Sequence, residues 1–402
     1  MKRTLFWLLA GCLLTLGPVA GPLSASDRDA CPNAAVIYWQ AFAAMPALEG
    51  QEQAKYEAAI KTPTAPLGDD LKPIVARFAP SMRELHRACA VSVCDWNLNM
   101  DAGPEMLLPH LAKARDLSRA ALLRARLRFA AGETDAAMED VLDVLKLARD
   151  CGRNAVLISL MVNAAIEDRT AEVLAAHLPK LVPEQLDKLA AALKTLPAAA
   201  SLADCMRTED RVFGNWLQRF IDAEAATAGN SKAVAKVFEM LGILDDSSQS
   251  AADDAEKTRR RAMLQSLTMA DLRESARLLR ADYDHLTRIA GLGFAERRGL
   301  WAEYDAKLAK AKKLAKREDL HRILSCALTP TLARVADREE LLQVRRNLLA
   351  LAVAVQRHGP DALKSAPAAG PVEYQKTDDG FELRCRCSGS DKPEVLRVGG
   401  GK

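Results

Sequence analysis

The residues best placed to do chemistry lie between positions 86 and 105. His86, Cys89, Cys94 and Asp95 fall within ten residues. On a helix His86 and Cys89, three apart, share a face. With Cys94 and Asp95 they offer the N, S and O donors that tetrahedral zinc takes. The competing reading is a Cys89–Cys94 disulfide clipping a helix end to the following loop, which export favours. That reading is preferred, and no metal or cofactor is assigned. Immediately after comes the candidate binding set: Asp95, Trp96, Asp101 and Glu105. A loop tryptophan among carboxylates suits a sugar or a peptide; the alternative is a Trp packed back on a helical core. The same carboxylates suggest calcium, but the spaced Asp/Asn–Gly pattern of a calcium loop is missing.

Other chemistry-bearing groups are sparser. Cys385 and Cys387 alternate in a short apolar run, which in a strand points both to one face. Without a Cys-x-x-Cys motif a redox role is not favoured. Lys307, Lys310, Lys312, Lys313, Lys316 and Arg317 crowd one helix, and a solvated face is the ordinary reading of such a run. No Gly-x-Ser-x-Gly, His-Glu-x-x-His, phosphate-cradling loop or dinucleotide fingerprint is present, so no catalytic residue is assigned.

These groups must be positioned by helices. Hydrophobic residues make up 49% of the 402, aromatics only 5%, and Ala and Leu dominate the apolar set. Asn33 caps a helix to Ala44; Gln51 to Lys61 and Leu71 to Ala90 follow, the latter kinked at Pro80. A long apolar helix stops at Gly132. Thr134 caps the next, in which Met138, Val141, Leu142, Leu145 and Ala148 make one stripe while Glu139, Asp140, Asp143 and Lys146 lie off it. Asn154 caps a helix to His177, and Pro183 opens another to Leu196. Capping boxes stand at Ser201–Asp204 and Thr268–Asp271. Ser231 opens a helix to Leu244, and Pro330 leads a long one to His358. In the tail, Val372 to Lys376 and Phe381 to Cys385 flank Thr377-Asp378-Asp379-Gly380, a hairpin signal, with Val395 to Val398 as a third strand.

The first 25 residues read as an export signal. Lys2 and Arg3 precede the apolar run Thr4 to Leu16, and Leu23-Ser24-Ala25 ends in small residues. Leu9-Ala10-Gly11-Cys12 also matches a lipobox, which would lipidate Cys12, and an uncleaved anchor is a third option. Without Lys2 and Arg3, 54 basic residues face 53 acidic ones, out of 56 and 53 in the whole chain. Such a balance has no global field to draw in nucleic acid.

Three resemblances accompany these features. The Gly132 hairpin, with Ala137, Val141 and Val144 on its second helix, resembles one tetratricopeptide repeat, although Arg128 takes the usual aromatic position. The stretches Asn33 to Phe42, Cys94-Asp95-Trp96, Leu108 to Leu111 with Lys113 to Arg115, and Glu373 to Phe381 are similar to an exported helical family of planctomycete-type bacteria. The tail also resembles the terminal hairpin of type II secretion pseudopilins. These resemblances imply helix-pair stacking and no particular activity.

The expected molecule is all-α: antiparallel helix pairs stacked as a solenoid-like or irregular bundle with a small C-terminal β-hairpin. Its parts would be a signal at 1–25, a helical array at 26–244, a polar linker at 245–254, a second helical region at 255–358, and a Pro-containing tail at 359–402. The expected role is an exported, non-enzymatic binding or scaffolding protein whose partner is a protein or peptide of the cell envelope. It would meet the membrane only if lipidated or uncleaved. The alternative is an enzyme or small-ligand binder with its site in the Cys89–Glu105 loop.

Overall fold

A computed structural model describes residues 32–227, 266–311, 332–365, 371–387 and 392–400, with Lys236, Thr258 and Ala262. The leader, Cys31, the Ser231 helix, the 245–254 stretch, Lys312 to Arg317, Cys326 and Pro330 lie outside them. The described chain is all-α with a small antiparallel sheet at its end. None of its helices is long and apolar enough to cross a membrane.

The helices start where local chemistry dictates. In α1 (Ala34–Ala43) the Asn33 side chain accepts the Ala35 N–H at 3.1 Å. The same side chain brackets Asp95, accepting its N–H at 2.9 Å and donating to its carbonyl at 2.7 Å. One cap therefore also pins the 93–95 loop to the start of α1. α2 (Gly50–Lys61) follows. The single kinked helix expected over 71–90 is two, α3 (Leu71–Ala76) and α4 (Ala79–Cys89). Pro80 sits in the first turn of α4, where its missing N–H costs nothing. The break falls instead at Arg77–Phe78.

α5 (Pro109–Ala131) and α6 (Thr134–Gly152) form the expected hairpin. Gly132 turns the chain at φ 80°, a left-handed conformation that glycine adopts without a Cβ penalty. Thr134 does not cap α6; its hydroxyl donates back to the Gly132 carbonyl at 3.3 Å. Arg128 reaches across the turn to the Ala136 carbonyl and to Asp140, each at 3.0 Å.

α7 (Leu157–His177) and α8 (Pro183–Thr195) come next. Both predicted capping boxes form, opening α9 (Leu202–Glu209) and α11 (Met269–Ala290). A π-turn, Asp210–Gly214, joins α9 to α10 (Asn215–Thr227). α12 (Phe294–Ala311) and α13 (Leu332–His358) are the last of the described α-helices.

Two hydrophobic cores result. The first holds α1 to α8, the C-terminal part of α13 and the sheet. The second holds α9 to α12 and the start of α13. α9 and α10, expected with the N-terminal array, pack in the second core. Two helices serve both: α7 gives Leu157 and Leu160 to one and Ile166 to Leu174 to the other. α13 likewise gives Leu332 and Val335, then Leu348 and Val353. The strands β1 (Val372–Thr377), β2 (Gly380–Cys385) and β3 (Glu394–Gly399) form an antiparallel sheet in that order. Phe381, Leu383, Leu396 and Val398 are buried, and β2 and β3 pack on α13, β3 also on α7. The tail is thus docked on the helices.

Candidate functional site

The candidate set in the 89–105 loop does not converge. Trp96 is 6% exposed and belongs to the core. Its ring stacks on His110 at 4.4 Å and Tyr38 at 5.6 Å between centroids, and its Nε1–H donates to the Asp150 carbonyl at 2.9 Å. A tryptophan held this way offers no face to a sugar, contrary to the binding reading of the loop. Asp95 is exposed, and its carboxylate accepts the Asn97 N–H at 2.9 Å in a local turn. Asp101 pairs with Arg219 of α10, and Glu105 is exposed.

The Cys89–Cys94 clip does not form in this structure; both are free thiols. Cys89, the last residue of α4, faces α6, where its thiol donates to the Asp143 carbonyl at 3.3 Å and lies 3.5 Å from the Tyr38 hydroxyl. Nor do His86, Cys89, Cys94 and Asp95 form a ligand set: among the described residues no three His, Cys, Asp or Glu side chains could hold a metal.

The structure instead gathers a polar cluster on α6 that the sequence does not announce. Asp140 and Asp143, which lie off the apolar stripe, and Asp150 are all buried. α4 and α5 cover that face as well as the apolar stripe. Each carboxylate is matched by a partner. Asp140 is clamped by Arg124 and Arg128. Asp143 meets His86 Nδ1 at 3.0 Å. Asp150, fully buried, accepts from the Tyr38 hydroxyl at 2.8 Å, from Arg153 Nε at 2.9 Å and from Lys146. The available signal was the helical spacing of these aspartates with Lys146 and Arg153 one turn away.

Of the three aspartates Asp143 borders a cleft of about 400 Å3, lined also by Cys89, Lys146 and Arg153, by Val91 and Ser92, and by Thr195 to Pro197 at the end of α8. Lys146 Nζ and an Arg153 Nη hold the Val91 and Ser92 carbonyls at 3.3 and 2.8 Å. Burial, reinforced by Asp143, pushes the Cys89 thiol well above its ordinary value, and burial does the same to the Tyr38 hydroxyl. Cys94 is pushed up to about 12, first by burial and then by Asp150. A nucleophilic cysteine needs the opposite environment, cationic and partly exposed. Neither thiol is therefore set up as a nucleophile.

Beyond the 91–93 segment the surface becomes apolar. Val36 and Trp39, three apart on α1, are 57% and 40% exposed, and Val93 is 41% exposed. The Ala34 N–H donates to the Val93 carbonyl at 2.8 Å, which fixes Val93 beside the first turn of α1. Trp39 is held edge-on against Phe42 and Trp96, with centroids 5.4 and 6.4 Å apart. No protein-family model, curated protein or solved structure matches the chain.

Proposed function

We propose that this chain is an exported, non-enzymatic protein- or peptide-binding component of the cell envelope, docking its partner on the start of α1. Export rests on the Lys2–Ala25 segment. The single observation that carries the binding reading is Trp39, a large aromatic kept 40% exposed on a rigid aromatic support, with Val36 and Val93 beside it. Buried core aromatics brace it from behind, so little side-chain freedom remains to be lost on association. Tryptophans of this kind dominate interface energies. In the expected experiment, Trp39→Ala leaves folding intact and weakens partner binding by about thirtyfold, the loss of an interface anchor worth about 2 kcal/mol. Retention of full binding by both Trp39→Ala and Val36→Asp would refute the proposal.

The second reading, a small-ligand protein, is favoured by the cleft at Cys89, Asp143 and Lys146. It predicts that substituting Lys146→Gln abolishes ligand binding while partner binding at α1 persists.

A further inference from the structure

We infer that the junction of α6, α7, α8 and α13 is a binding site for a carboxylate carried on a short branched apolar body. This reading stands independently of any partner at α1.

The junction is built around Glu167 of α7, whose side chain is 4% exposed. Arg149 of α6 approaches it with Nε at 2.8 Å and an Nη at 3.3 Å. Arg346 of α13 approaches it with Nε at 2.7 Å and an Nη at 2.8 Å. Two guanidinium groups thus share a single carboxylate, which accepts three hydrogen bonds from them, while the buried Arg149 Nε is close but makes no hydrogen bond. Each guanidinium keeps its other Nη, and that of Arg149 reaches only the Pro197 carbonyl, at 3.4 Å.

A cavity of about 220 Å3 adjoins this pair. Arg149, Arg345 and Arg346 line it, and among the described residues Glu167 is the only acidic one in its wall. Arg345 is engaged outward with Asp168, Glu172 and Glu394, and Arg338 with Asp168. Three carboxylates face two arginines there, but Glu172 is 44% exposed and screened by solvent, which leaves Asp168 and Glu394 to match Arg338 and Arg345. Inside, one positive charge exceeds the negative charge on hand. Burial and the neighbouring Arg346 both disfavour the charged form of Arg149, opposed by Glu167. An anion placed against the remaining Nη ends, where Arg149 makes only a long contact to a carbonyl, relieves that excess through charge-assisted hydrogen bonds.

The remaining wall selects the anion. Leu193, Leu196, Leu342 and Leu349 face the same space. A fully hydrated ion such as phosphate gains nothing from leucines, whereas an aliphatic acid buries its chain there. The volume lies below the usual range for drug-sized ligands, about 300–1,000 Å3. It fits one branched side chain and its carboxylate. That chemistry comes from two sources, a free branched-chain acid or the C-terminal residue of a peptide.

Calorimetric titration of the full chain separates these. The probes are 4-methylpentanoate, its primary amide, Gly-Gly-Leu, and Gly-Gly-Leu amide. We expect at least one acid to bind saturably and its amide to bind at least about tenfold more weakly. Binding of 4-methylpentanoate alone identifies a free acid, and binding of the tripeptide alone identifies a peptide end. Arg346→Gln should cost a further tenfold or so, whereas Glu167→Gln, which removes the competing carboxylate, should retain or tighten binding. A merely structural ion pair would lose stability in both variants without any ligand effect. No saturable binding of either acid at millimolar concentration, or equal binding of acid and amide, would overturn the assignment; neither comparison depends on a variant folding.

Discussion

Burial sets two ionisable side chains against each other across the acidic pH range. Glu209 is buried, which raises its carboxyl to about 7, although it accepts the Leu157 N–H at 2.9 Å. His110 is buried against Trp96, which lowers its ring to about 4. For Glu209 the folded state holds a proton that the unfolded state releases, so its contribution is full below about 4.5 and is lost as pH rises through 7. For His110 the sign is opposite: its contribution is full above about 6.5 and is lost as pH falls through 4. Between roughly pH 5 and 6.5 the two slopes, about 1.4 kcal/mol per pH unit each, offset one another. Glu209→Gln removes one side of that balance. Its stability relative to the native chain should climb by about 1.4 kcal/mol per pH unit from pH 5 to 7 in denaturant titrations; a pH-independent difference would contradict the assignment. The two tryptophans divide similarly. Trp96→Ala should cost about 3–5 kcal/mol, as for a buried aromatic, and Trp39→Ala well under half of that. Both readings of Trp96 were open in the sequence. What decided between them, the Asp150 carbonyl and the His110 ring, lies 54 and 14 positions away.

At the scale of elements, legibility followed locality. Asn33, Ser201 with Asp204, Thr268 with Asp271, and Gly132 each act within a few residues, and each does in the fold what its type and spacing predict. Asn154 does not cap α7. Instead Glu209, 52 positions beyond Leu157, accepts the Leu157 N–H, and no local pattern could reveal it. The burial of the α6 aspartates was not legible for the same reason: partners such as His86 and Tyr38 are distant in sequence. The 100–105 turn shows a local feature with a long-range cause. Gly103 has φ 57°, and a Cβ there would fall within the Trp216 ring of α10. Gly103→Ala should therefore destabilise by about 3 kcal/mol, combining a left-handed backbone with overpacking. Thermal unfolding checks this, and an unchanged midpoint would show that the α10 contact is absent in solution.

For the whole molecule, the helix-rich composition and the alternating tail gave the fold class directly, including the third strand. The division into two cores was not legible, since it depends on which helices run through both. α7 and α13 do so as continuous helices, so neither core can lose its packing without disturbing the other. A single cooperative unfolding transition is expected by calorimetry, and two well-separated ones would contradict this coupling. The same architecture leaves one end of α1 with exposed apolar side chains on a rigid base, and the proposed function rests there. The most direct test is a photocrosslinking residue placed at position 39 in the living cell, with Ile158, 56% exposed and at the start of α7, as the comparison site. One discrete envelope protein crosslinked at 39 and absent at 158 is the predicted result. Equal crosslinking at both positions, or none at 39 with a partner captured at 158, would contradict it.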